Sequence, residues 1–187
     1  MSDVVSLLER LRSAFDAAQV PFMIAGSFAS TAHGAPRTTQ DLDVVIDPPD
    51  LASLDRLLTS FQADSYYVDT DAAHDAFRRR SMFNVIDMTS GWKVDLIIRK
   101  QRPFSMSEMN WRTELRVLGV VLLVATAEDT IVAKLEWSRE SGGSERQRRD
   151  IAGILATNVG TLDRGYLEAW IDALDLRGEW NVVVASE

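Results

Sequence analysis

The chain contains no cysteine in 187 residues. That removes disulfides and thiolate zinc sites and is compatible with a reducing compartment. Histidine is nearly as scarce, and two residues of it are too few for an imidazole metal cage. The chain opens on no apolar signal region, and its longest apolar run, Leu118–Ala127, falls far short of the ~20 residues that span a membrane. The expectation is therefore a soluble, cytoplasmic protein with no membrane partner. Positive charge is also in short supply: 20 Lys and Arg against 28 Asp and Glu leave a net charge of −8. Such a balance disfavours indiscriminate binding to a polyanion. The length and a hydrophobic content of 46% fit a globular chain with a sizeable core, either one domain or one domain with a small appendage.

Against that background one stretch stands out. Ile24-Ala25-Gly26-Ser27 ends an apolar run on a glycine and a hydroxyl, and Asp41-Leu42-Asp43-Val44-Val45-Ile46 follows. In a strand, residues two apart share a face, so Asp41 and Asp43 project together while Leu42, Val44 and Ile46 enter the other side. Two such carboxylates repel unless something positive lies between them. The natural candidate is Mg²⁺, a hard cation that takes oxygen ligands and shares them with substrate phosphates. If Gly26-Ser27 opens a helix after the strand Phe22–Ala25, its N–H groups and positive dipole end offer a phosphate seat. A third acid, Asp95, sits inside the apolar run Trp92–Ile98. A buried carboxylate there demands a partner or a metal.

Periodicity and punctuation set the frame. Val4, Leu7, Leu8, Leu11 and Phe15 recur at helical spacing. Ser27–Ala32 reads as a short helix broken by Gly34-Ala35-Pro36, and Asp47 with Pro48 as the start of a helix running to about Phe61. Tyr66–Val68 is a weak strand and Ala72–Arg79 a short helix. Met82–Met88 and Trp92–Ile98 form a hairpin across Thr89-Ser90-Gly91, and Pro103–Asn110 reads as irregular. Leu115–Leu118 and Val120–Ala125 are strands, and Thr126-Ala127-Glu128-Asp129 resembles a capping box opening the helix that carries Lys134. Glu145–Ala156 and Asp163–Leu174 complete a helical C-terminal part, joined to that helix by a polar segment around Gly142-Gly143.

Ala25-Gly26-Ser27, Asp41-Leu42-Asp43 and Asp95 in this order resemble the nucleotidyltransferase superfamily, which shares a fold with DNA polymerase beta. The run His33-Gly34-Ala35-Pro36-Arg37-Thr38-Thr39-Gln40 before the acid pair is similar to that of its bacterial members. The resemblance implies an α/β (α+β) fold: a mixed sheet flanked by helices over residues 1–125, with a helical part over 126–187 packed on it as one compact unit. It implies Asp41, Asp43 and Asp95 as catalytic residues and ligands of Mg²⁺ (or Mn²⁺), with Gly26 and Ser27 holding the triphosphate of an NTP such as ATP. Lys134, followed by Arg149-Asp150-Ile151, resembles the arrangement in abortive-infection, toxin-type members. There the lysine reaches the nucleotide phosphates and the aspartate supports the site, so a toxin role with an antitoxin partner is implied.

Each candidate has a plainer reading beside it. Lys134 is equally a lysine on the surface of an amphipathic helix, and Asp150 equally an ion-pair partner of Arg146 one turn earlier. Arg37, four residues before Asp41, is placed to bind a phosphate or an acid. His33 is more often structural at a helix end. The clusters Arg78-Arg79-Arg80 and Arg146, Arg148, Arg149 suit a phosphate chain or simply solvated faces. The residues by themselves imply metal and phosphate. The resemblance adds transfer of a nucleoside monophosphate to a hydroxyl on an RNA end such as tRNA, on a protein or on a small molecule. A non-catalytic nucleotide-binding or protein-interaction module retaining the fold is the alternative.

Overall fold

The structure, a computed structural model, describes residues 2–34, 41–63 and 65–185. Its centre is a mixed seven-stranded sheet: β1 (Phe22–Ile24), β2 (Asp41–Ile46), β3 (Tyr66–Val68), β4 (Met82–Asp87), β5 (Lys93–Ile98), β6 (Thr113–Val117) and β7 (Val120–Val124). Their order is β3-β4-β5-β2-β1-β7-β6. The central pair β2 and β5 runs parallel, as does β1 with β7, and the remaining neighbours are antiparallel. The helices among the described residues are α1 (Ser2–Ala18), α2 (Gly26–His33), α3 (Leu51–Ala63), α4 (Thr70–Arg79), α5 (Pro103–Trp111), α6 (Ala127–Glu140), α7 (Glu145–Thr157), α8 (Arg164–Ala173) and α9 (Arg177–Val184).

One sheet face is sealed. Leu42, Val44 and Ile46 of β2 and Val94, Leu96 and Ile98 of β5 pack with Leu7, Leu8, Leu11 and Phe15 of α1 and Leu54, Leu57 and Phe61 of α3. The odd-numbered residues of β2 and β5 face the other way. There Met109 of α5 covers Met23 and Val45, with Ile97 beside them. A separate apolar cluster joins α6 to α9 and includes Phe104 of α5. The face of the sheet that carries Asp43 and Asp95 is therefore closed over its middle and left open toward β3 and β4, where Tyr67, Met82 and Ile86 are exposed.

Three local expectations change. Asp50, not Asp47, caps α3, its Oδ1 accepting from the Ser53 N–H at 2.7 Å. Asp47 instead receives Arg99 at 2.7 Å, and the Pro48-Pro49 segment lies outside the helix, which begins at Leu51. Pro103–Trp111 is helical rather than irregular. Phe104 and Met109 are its buried apolar anchors, too few and too far apart to show a helical period. Finally, Arg177–Val184 forms a further helix, held by Trp180 and Val183.

Candidate active site

The parallel register of β2 and β5 sets Asp41 beside Lys93 and Asp43 beside Asp95. The acids seen in the sequence thus come together across neighbouring strands on the same face. β1 runs antiparallel to β2 and delivers Gly26 and Ser27 to this end of the sheet. Gly26 takes a left-handed φ of +57°, and a Cβ built on it would fall 1.9 Å from the Asp43 carboxylate. The glycine is required because the acid lies against its Cα. No side chain caps α2 from its own segment. Asp43 does so from β2, accepting the Ser27 N–H.

Asp43 is half-buried, and its carboxyl is pushed above the usual aspartate range, first by burial and then by the charge of Asp95, with Asp41 adding to it. Ser27 and the charge of Lys134 act in the opposite direction. Asp95 is buried and held from two sides: Asn84 Nδ2 donates to Oδ1 at 2.6 Å, and Lys93 Nζ donates to Oδ2 at 3.1 Å. The field of these acids, above all the hydrogen bond to Asp95, raises the pKa of Lys93. Among the described residues no group of three or more acidic or imidazole side chains is placed to hold a metal ion by itself. Asp41, Asp43 and Asp95, at one end of the central strands, are nevertheless hard oxygen donors of the kind that Mg²⁺ or Mn²⁺ takes one or two of while sharing substrate phosphates and water.

The other candidates fall out differently. Arg146 of α7 donates to Ser27 Oγ at 3.2 Å, which brings one arginine of the second basic cluster to the phosphate seat. Arg149 pairs with Glu145 at 3.1 Å. Lys134 and Asp150 are both buried and meet each other at 2.7 Å, with Gln147 accepting a second Lys134 proton at 2.9 Å. Neither the surface reading of Lys134 nor an Arg146–Asp150 pair holds. His33, with its pKa lowered by burial, donates Nε2–H to the Ala125 carbonyl at 2.7 Å and is a neutral brace between α2 and β7. Arg37 lies outside the described residues.

The Arg78-Arg79-Arg80 cluster is remote. Arg80 reaches Asp47 and the Arg99 carbonyl, residues that follow the far ends of β2 and β5. Asp47 lies six positions along the chain from Asp41, on the order of 20 Å. Arg78 and Arg79 both pair with Asp75.

Lys93 and Asn84 are site residues that the sequence pattern does not assign, and Arg146 enters it only as one member of a basic cluster. Strand parity gives Lys93 the face of Asp95, so it was within reach. Asn84 depended on the β4–β5 register and Arg146 on the packing of α7 against α2, neither of which a linear pattern specifies.

The mixed sheet flanked by helices is nucleotidyltransferase-like in architecture. No protein-family model matches the chain, and no curated protein does. Solved structures do. The crystal structure of ANT(2")-Ia in complex with adenylyl-2"-tobramycin aligns with a TM-score of 0.61 at 13% identity, over 95% of this chain and 99% of that one. The lincosamide antibiotic adenylyltransferase LnuA, lincomycin-bound, aligns with a TM-score of 0.54 at 11% identity, over 79% and 93%. An antigenic nucleotidyltransferase-like protein from Paracoccidioides brasiliensis aligns with a TM-score of 0.59 at 19% identity, over 99% and 92%. At these identities the likeness is one of fold. Among the described residues no helix is long and apolar enough to cross a membrane.

Proposed function

We propose that this chain is a metal-dependent nucleotidyltransferase, moving a nucleoside monophosphate from an NTP to a hydroxyl acceptor. The observation that carries the reading is the register that joins Asp41 and Asp43 to Asp95 beside the Gly26-Ser27 helix start. Gly26, Ser27 and Arg146 hold the triphosphate at the N-terminus of α2. Asp41, Asp43 and Asp95 would hold Mg²⁺ or Mn²⁺ together with the phosphates, and the ion would supply positive charge to offset the charge that develops in the transfer. Asp95, at the border of the uncovered sheet face, orients the acceptor hydroxyl and takes its proton. The acceptor oxygen bonds to the α-phosphorus as the bond to the β-phosphate bridge breaks, and pyrophosphate leaves. The buried Lys134–Asp150 pair acts from beneath, through the field of Lys134 on Asp43.

The adenylyl chemistry of the aligned antibiotic enzymes supports ATP as the donor. The acceptor approaches over Asn84, Ile86 and Tyr67, an open strip with apolar borders. With the Arg78-Arg79-Arg80 cluster at the far end of the sheet, this favours a protein or small-molecule hydroxyl over an RNA end. The likeness of Lys134 and Arg149-Asp150-Ile151 to toxin-type members extends the proposal to a toxin with an antitoxin partner. Growth arrest on expression of the wild type, absent in Asp43→Asn, tests that extension.

The test of the reaction is transfer of label from α-labelled ATP to the protein itself, tRNA or aminoglycosides, with Mg²⁺ or Mn²⁺. Asp43→Asn should lower transfer by on the order of 100-fold or more, since a metal ligand is lost. Its fold should stay intact and gain slightly in stability, because burial and Asp95 already disfavour the ionised Asp43. Retained turnover in that variant would refute the assignment, and nucleotide binding with no transfer to any acceptor would favour the non-catalytic module.

A further inference from the structure

The side chains at this end of the sheet form a square. Asp41 and Asp43 lie along β2, and Lys93 and Asp95 lie opposite them along β5. Three corners are acids and the fourth is an ammonium. Lys93 Nζ lies 3.0 and 3.1 Å from the two oxygens of Asp95, and Asn84 occupies Oδ1 from the other side.

This pair is not built for stability. The Lys93 side chain remains 44% exposed, and ion pairs of that exposure contribute at most about 1 kcal/mol. Its four-carbon stem can carry the ammonium away from Asp95 without disturbing the strand. The acid it engages is one that the proposed reaction needs for other work.

We propose that Lys93 is a tethered counter-ion: it occupies the cation position of the resting site and makes metal entry depend on the nucleotide. The inference rests on the nucleotidyltransferase reading and adds to it an order of binding. Without nucleotide, a divalent ion has to enter a square whose charge Lys93 already offsets, and it gains Asp95 only when the ammonium is displaced into water. With nucleotide, the triphosphate gives Lys93 another anion to face and gives the metal further oxygen ligands. Metal and nucleotide are then positively coupled, and by linkage each raises the affinity of the other.

The test is Mn²⁺ binding followed by electron paramagnetic resonance and calorimetry, with and without adenosine 5′-(α,β-methylene)triphosphate. Lys93→Met should bind Mn²⁺ about tenfold more tightly than the wild type when no nucleotide is present, since a positive charge within a few ångströms of the ion is gone. The coupling between metal and nucleotide should shrink by a similar factor. Lys93→Gln provides a second charge-free variant with the same expected gain, and Lys93→Arg, which keeps the charge, should stay within about twofold of the wild type. If the wild type binds Mn²⁺ with the analogue but neither charge-free variant gains nucleotide-free affinity, the counter-ion role is overturned and the enzyme reading stands. If the wild type binds neither metal nor analogue, the reading itself falls and takes the inference with it.

Discussion

At the scale of single residues, Gly26 does the most with the least. Its φ of +57° turns the chain from β1 into α2, and the space where a side chain would begin is filled by Asp43. Gly26→Ala therefore combines backbone strain with eviction of a carboxylate. The expected loss is about 1–3 kcal/mol in chemical denaturation, and ATP-analogue binding should fall because the acid and the Ser27 N–H no longer meet. A variant with native stability and undiminished nucleotide binding would show that the glycine has no part in the seat. This much was visible in the sequence, because a glycine-hydroxyl turn and alternating acids are patterns only a few residues long. Lys93 shows the limit of such patterns. Its parity with Asp95 could be counted along β5, but its place beside Asp41 depends on which strand lies next to β5, and that is settled by packing.

Among elements, the contact between α6 and α7 decides how the helical part meets the site. Lys134 and Asp150 are 7% and 6% exposed at their side chains, so this ion pair is buried, with Gln147 satisfying a further donor. Removing one partner of a buried pair strands the other charge, at a cost of about 3–5 kcal/mol. Lys134→Met should show that loss in denaturant unfolding, and Lys134→Met with Asp150→Leu should recover much of it. If the double variant were as unstable as the single one, the pair would not be the source of the cost. Helical periodicity located both helices but not this pairing, since residues 16 positions apart on separate helices carry no common period. The same reason explains why α5 was read as irregular. Its helix is fixed by what Phe104 and Met109 pack against, not by a stripe of its own. Where the apolar pattern is dense, as in β2, sequence and structure agree on the bounds, and the weak pattern of β3 gives the same bounds as the structure.

For the molecule as a whole, the excess of acid should set the pH dependence of stability. Glu108 of α5 meets Asp129 and Glu136 of α6, with Arg102 bound to both Glu136 oxygens at 2.5 and 2.6 Å and Tyr166 of α8 donating to Asp129 at 2.7 Å. Burial, and next the charge of Asp129, push the Glu108 carboxyl up to about 7 from 4.5. A raised carboxyl means that the folded chain holds a proton the unfolded chain has released, so stability falls as pH rises between those two values. Asp43 and Asp129, also raised chiefly by burial, act with the same sign. Asp87 acts oppositely: burial pushes it up, but Ser90, the Thr89 N–H and Arg10 outweigh that and hold it low, so its contribution is lost only in stronger acid. Mutual repulsion at a net charge of −8 adds to the decline toward neutral pH. The wild type should therefore melt higher near pH 5 than near pH 7.5. Glu108→Gln should flatten that slope and add on the order of 1–2 kcal/mol at pH 7.5, less than the full shift implies because the group is partly solvated. Calorimetric melts of both proteins across this range check the sign. A wild type that gains stability from pH 5 to pH 7.5, or a Glu108→Gln variant with an unchanged slope, would mean that the junction of α5, α6 and α8 does not hold a protonated acid.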